Sequence, residues 1–382
     1  MTFSVVEKIA DAVLYEGYIL YPYRPSAVKN QQRWNFGALC PESYSLAQRG
    51  TESWMMQTEC IIQQTPDTEL QVKVRFLHLL TREVEQRMAD CQSPIADCGH
   101  RLISSANDHF STVPSIEVNG QLFQTWQEAV EREVHLTGIK LVEPGAESHC
   151  AYRERFSFPQ TETVELLNDA HSGETIGAIV RRQQAIEGAI EVLLAECGVQ
   201  SEKAAAGRVN RSSEISNPQS KGFSKITVRI LNLTPFAEAE RKSRDDALMR
   251  SFVSTHTILK AHNGEFVSLL DPPESLSHAT GGCSNIGTYP VLAGEEGTRD
   301  CMLSSPIILY DYPQIAPESA GTLFDGTEID EILTLRIMTL TEEEKREMRG
   351  ADDRARQILE RTETLPVEQL MKMHGAMKGV KR

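Results

Sequence analysis

Nowhere in its 382 residues does this chain hold an apolar run of the roughly 20 residues that a bilayer span needs; Ile307-Ile308-Leu309 is typical of its longest. The expectation is a soluble protein without membrane insertion. Cations are also in short supply: 39 Lys and Arg stand against 54 Asp and Glu, a formal charge of −15, whereas general binding to nucleic acid or anionic membrane relies on cationic surface. No Cys-x-x-Cys occurs among the eight cysteines, and the closest pair is Cys91 and Cys98. That removes the common zinc-ribbon, thioredoxin-like and ferredoxin-like spacings, and leaves buried free thiols as the simplest reading. There is no Gly-x-Ser-x-Gly elbow, no phosphate loop, no His-Glu-x-x-His and no dinucleotide fingerprint. The N-terminus lacks a basic segment leading into a long apolar stretch and a cleavage site, which reads as cytoplasmic.

What is present is ordinary globular composition, 40% apolar and 24% charged. Strand-like runs occur at 59–63, 70–80, 116–123 and 189–194, where β-branched or alternating residues lie between turn formers. Two Asn-Gly steps, Asn119-Gly120 and Asn263-Gly264, predict two-residue hairpins, because a type I′ turn needs positive φ at both central residues. The second would pair His262 with Glu265 and Lys260 with Val267. Val74-Arg75-Phe76-Leu77-His78-Leu79 echoes Val228-Arg229-Ile230-Leu231-Asn232-Leu233, and a true duplication would give two related sandwich-like units. In both echoes the apolar residues should face a core and the Arg away from it.

Helices are predicted from capping boxes at Thr125-Trp126-Gln127-Glu128, running to about Val134, at Ser243 with Asp246, and at Thr341-Glu342-Glu343-Glu344, running to about Arg361. Pro366 should open a last short helix. The fold class is therefore α+β: β-rich and antiparallel, with appended helices and a helical C-terminus. Composition divides it into a β-rich domain at 1–197, a polar linker or loop at 198–222, a second β-containing domain at 223–340 and a helical tail at 341–382. The tail, with ten basic and nine acidic residues, reads as a solvated helical face.

Charge is unevenly spread. Between His262 and Glu331 stand twelve acidic residues and one basic one, Arg299, amid many turn formers. This window reads either as a partner-docking or cation-binding region, with Glu295, Glu296, Asp311 and Glu318 as contact residues, or as solvated acidic surface. From Gly17 to Cys40 no acid occurs, while Arg24, Lys29, Arg33 and Trp34 stand among tyrosines, a pattern suited to a stacked interface or to core closure. An EF-hand at Asp325 is rejected, since Asp330 stands where that loop needs Gly. Cys283, Cys301, His256 and His278 are the metal-ligand candidates, although their spacing fits no recognised pattern. Ser304-Ser305 and Thr255-His256-Thr257 could meet in space, with turn and strand hydrogen bonding as their simpler role.

Two stretches, Leu14–Ala27 with Trp34-Asn35-Phe36-Gly37, and Ser304–Glu318 through Phe324–Glu331, resemble a family of bacterial proteins encoded near uptake [NiFe]-hydrogenase genes. The resemblance carries over no catalytic residue and no cofactor. It implies an accessory or interaction protein that assists assembly or operation of a redox metalloenzyme, with a hydrogenase subunit or maturation factor as partner. The alternative expectation is a metal-assisted hydrolase using the acidic window as its pocket, with Asp300, Asp311 or Glu318 in acid/base work.

Overall fold

A computed structural model describes residues 2–15, 35–88, 101–102, 109–141, 150–197, 222–315, 334–351, 353–366 and 368. The chain is strand-rich and every strand pairing is antiparallel, in an α+β arrangement. In order, the strands are β1 (Met55–Gln64), β2 (Glu69–Arg87), β3 (Arg101–Leu102), β4 (His109–Val113), β5 (Ser115–Val118), β6 (Gln121–Gln124), β7 (Trp126–Lys140) and β8 (Cys150–Phe158). They continue with β9 (Thr161–Asn168), β10 (Thr175–Gln183), β11 (Ile186–Glu196), β12 (Gly222–Asn232), β13 (Val253–His262), β14 (Glu265–Phe266), β15 (Tyr289–Leu292) and β16 (Cys301–Ser305). The helices are α1 (Thr2–Leu14), α2 (Glu42–Ala47), α3 (Arg244–Leu248), α4 (Ser277–Gly281), α5 (Glu342–Ala351) and α6 (Asp353–Thr364).

One sheet runs β14-β1-β12-β11-β8 and a larger one is built on β15-β16-β13-β2-β10-β9, with β7 and β4 on the other side of β2. Their facing surfaces share one core, in which Met56, Cys60, Val228 and Ile230 of the first sheet meet Val74, Phe76, Leu259 and Met302 of the second. Phe76 is the hub, its ring 4.7 Å from Phe252 and 6.1 Å from both Phe156 and Phe158. The two echoing segments are thus the inner strands of opposite sheets in one sandwich. Val74, Phe76, Val228 and Ile230 face inward as the alternation predicts. Among the described residues the strands before and after 198–222 share both sheets, β1 pairing with β12 and β2 with β13, in place of two separate sandwich-like units. Of that expected linker, only Gly222 lies within the described residues, and it opens β12.

Local signals succeed where nothing larger opposes them. Asn119 and Gly120 have φ of 51° and 79°, and Val118 pairs with Gln121, as a type I′ hairpin requires. Ser243 with Asp246, and Thr341 with Glu344, form their reciprocal caps. Asn263-Gly264 does not make a hairpin, because only Asn263 takes a positive φ, 58°, and β14 pairs with β1 while β13 pairs with β2. The step is a corner that carries the chain from one sheet to the other. Thr68 Oγ1 donates to Asn263 O at 2.7 Å, tying this corner to the β1–β2 corner beside it.

Nor does Thr125 cap a helix. Its hydroxyl donates to Val113 O at 2.9 Å and accepts from Val84 N at 3.1 Å, and Trp126–Lys140 is a strand along β2. The two-residue alternation of Val130, Arg132, Val134 and Leu136 against Glu131, Glu133 and His135 outweighs the box. The charged helix expected through Arg361 is instead two helices. Met348, Ile358 and Leu359 share a core with Ile337 and Leu340, and Arg349 reaches Glu363.

Helix α1 covers the outer face of the larger sheet. Val6, Ile9, Ala10 and Val13, spaced for one helical face, pack on Ile258, Val291, Cys301 and Leu303. On the same face Lys73 is paired to Glu7, and Arg75 to Asp11 at 2.6 Å and Glu133 at 2.8 Å. Arg75 therefore faces away from the sandwich core, as predicted, but lies buried beneath the helix.

Candidate functional site

The acidic window is ordered by three devices between Phe266 and Tyr312. Asp311 accepts from Ser268 Oγ and, at 2.8 Å, from Leu292 N, while Ser268 Oγ accepts from Leu270 N and Asp271 N. Glu59, buried in β1, accepts from Ser284 N at 2.8 Å, Lys225 Nζ at 3.0 Å and Thr227 Oγ1 at 3.0 Å. Burial pushes its carboxyl up, but these donors outweigh burial and hold it below the usual carboxylate range. Glu295 O accepts from Thr298 N and Thr298 Oγ1, closing the turn that presents Glu295 and Glu296 to solvent.

Beside that turn, where the β13–β14 corner meets the start of β16, lies a polar cleft of about 870 Å³. It is lined by His262, Glu265, Thr298, Arg299 and Asp300 with Asn263. Lys260 Nζ donates to Asp300 Oδ2 at 3.1 Å, and among the described residues Asp300 Oδ1 is buried without a hydrogen bond. Of the predicted acid/base group, only Asp300 opens on this cleft. Asp311 commits one oxygen to the Ser268 hydroxyl and the other to Leu292 N, and Glu318 lies outside the described residues, as do Arg24, Lys29, Arg33 and Trp34.

The four metal-ligand candidates do not converge. Cys301 and His256 face α1 from β16 and β13, but Cys301 pairs across from Lys260, four residues beyond His256 and so about 13 Å along the strand. Cys283 and His278 lie at α4, over the other sheet. Burial pushes the Cys301 thiol up to about 12 and the Cys283 thiol up to about 11, which keeps both protonated. Among the described residues no group of three or more His, Cys, Asp or Glu side chains is placed to hold a metal ion.

His256 and Ser305 do meet. The imidazole Nδ1–H donates to Ser254 O at 2.6 Å, which leaves Nε2 to accept from Ser305 Oγ at 3.1 Å, and Ser305 Oγ in turn accepts from Ile307 N. A serine and a histidine at this distance resemble a nucleophile and its base. Here both are fully buried, and a backbone carbonyl stands where a triad places its carboxylate. Burial drives the imidazole down to about 4, so it stays neutral at pH 7. The pair fixes the left-handed bend at Ser254, φ 53°, where β13 begins.

No family model and no curated protein matches this chain. Its own surface supplies the remaining clue, one absent from the sequence reading. In the segment 308–310, Ile308 is 73% and Tyr310 84% exposed, while Leu309 between them and Ile307 just before them pack on the α1 cluster. Leu270, Ile286 and Tyr289 add exposed apolar surface within the same window. The segment is anchored at Leu292, which Asp311 and Tyr312 both bond, three residues before Glu295. Four consecutive apolar residues, Ile307-Ile308-Leu309-Tyr310, between Pro306 and Pro313 were the available signal.

Proposed function

We propose that this protein is an interaction protein whose docking surface is the 308–312 segment together with the acidic 293–298 turn. The observation that carries the reading is the exposure of Tyr310 and Ile308. Exposed apolar side chains rimmed by charge mark recognition surfaces, and tyrosine is a favoured anchor because it brings large contact area at small entropic cost. Glu295 and Glu296 supply peripheral charge that steers a basic partner.

Resemblance to proteins encoded near uptake [NiFe]-hydrogenase genes makes assistance to assembly or operation of a redox metalloenzyme the biological context we propose. A hydrogenase subunit or maturation factor is then the partner, and the cytoplasm the compartment. No helix of the described residues is long and apolar enough to cross a membrane, which is compatible with that setting. The hydrolase alternative draws less support, because Asp311 is committed to Ser268 Oγ and Leu292 N and the Cys301 and Cys283 thiols are protonated.

Affinity capture in the native host tests the proposal. Tagged wild-type chain should retain a partner that Tyr310→Ala and Ile308→Ser both lose, with folding unchanged because neither side chain is packed. A partner set identical for all three chains would refute it.

A further inference from the structure

Away from the acidic window, the β5–β6 hairpin and the two C-terminal helices border a second, half-open cavity, of about 600 Å³. Its lining includes Arg346, Arg349 and Arg356, with Glu342 as the one acidic side chain and the backbone of Gly120–Leu122 as the opposite wall. We propose that this cavity is a binding site for a phosphate monoester, the phosphate held by the arginines and the organic body lying against Leu122.

The arginines are held by their surroundings. Arg346 Nη2 bonds Glu117 at 2.5 Å and Gly120 O at 3.5 Å. Arg349 Nη2 reaches both oxygens of Glu363 at 2.7 and 2.9 Å, and Arg356 Nε donates to Arg349 O at 3.3 Å. The contacts of Arg346 and Arg349 each fix the guanidinium by Nη2. Among the described residues, the Nε and Nη1 of Arg346 and of Arg349 make no hydrogen bond, and both side chains are more than two-fifths exposed.

Charge and fit favour a phosphate over a carboxylate. Within the lining three arginines stand against Glu342, a local excess of cations in a chain of −15. A dianion gains from several guanidinium groups together, where a single carboxylate is already matched by one. The volume falls within the range of small-molecule pockets and exceeds what a bare ion fills, which is why the ligand is assigned an organic body. The wall cannot recede: a Cβ on Gly350 would stand 2.4 Å from Leu122 O, so α5 meets the hairpin backbone directly.

Phenyl phosphate, inorganic phosphate and phenol, each titrated at constant ionic strength, test the site by amide NMR of the full chain. Phenyl phosphate should shift the amides of Gly120, Leu122 and Gly350 saturably and bind more tightly than inorganic phosphate, with phenol inert. Arg346→Gln and Arg356→Gln should each weaken it about tenfold or more, the value of a charge-assisted hydrogen bond. Arg346→Lys, which keeps the charge and loses the fork, should fall between. The use of two positions guards against loss of folding in one. Shifts that chloride reproduces, or an affinity unchanged in both Gln variants, would overturn the site; inorganic phosphate binding as tightly as phenyl phosphate would overturn the organic ligand.

Discussion

Acid should unfold this protein through its interior histidines before its carboxylates titrate. His256 and His78 are fully buried, and each imidazole is driven from the ordinary 6.5 down to about 4. Burial is the main cause in both, aided at His78 by the charge of Arg132. The unfolded chain therefore takes up protons below pH 6.5 that the folded chain refuses until about pH 4, so stability falls as pH drops through that interval. At pH 5 each site contributes nearly one proton of difference, or about 1.2 kcal/mol per pH unit, and about 3 kcal/mol over the whole interval. Carboxylates with lowered values, such as Glu59 and Glu133, begin to lose their contribution near their ordinary 4.5, at the lower end of the histidine interval and below the pH 6 to 5 window in which the histidines dominate. Urea unfolding followed by circular dichroism from pH 7 to 4.5 measures this through the midpoint at constant m. The slope between pH 6 and 5 should correspond to about two protons in wild type and about one in His256→Gln. A flat profile across that interval, or a slope untouched by His256→Gln, would refute the reasoning.

Three further expectations follow from the packing. Phe76→Ala removes the ring on which Phe156, Phe158 and Phe252 converge and should cost about 3 to 5 kcal/mol, read from urea midpoints; a change below about 0.5 kcal/mol would reject its placement. Gly120→Ala puts a Cβ on a left-handed residue that faces open space, so it should cost only the backbone strain, about 1 to 2 kcal/mol. Cys60 and Cys301 should stay unmodified by a thiol reagent at pH 8 until the chain unfolds, because burial keeps both protonated and covered; peptide mapping after brief labelling checks this.

Sequence pattern made the interior legible and the topology much less so. Alternation placed Val74, Phe76, Val228 and Ile230 correctly because a strand with one buried face must repeat every second residue. It could not say that these strands oppose each other across one core, since pairing partners such as β1 and β12 are far apart in the chain. Thr125 misled because a capping box is worth about 1 kcal/mol, less than the partners gained by fifteen residues of strand beside β2. Asn263-Gly264 misled because one turn dipeptide serves both a hairpin and a sheet-to-sheet corner. At the candidate site, the acidic residues were visible as composition. Asp311 as a backbone staple, His256 against Ser305, and Tyr310 turned outward depend on where β15 and β16 lie, which no local pattern encodes.

The docking surface is tested most directly by association and dissociation rates of the captured partner, measured at two salt concentrations with wild type, Glu295→Lys/Glu296→Lys and Tyr310→Ala. Charge and anchor should divide the labour. The charge reversal should slow association, most strongly at low salt, because exposed charges act over about 10 Å at 0.1 M ionic strength. Tyr310→Ala should leave association nearly unchanged and speed dissociation about thirtyfold, the effect of losing an anchor worth about 2 kcal/mol. Association that ignores salt, together with dissociation unaltered by Tyr310→Ala, would contradict the assignment of this surface.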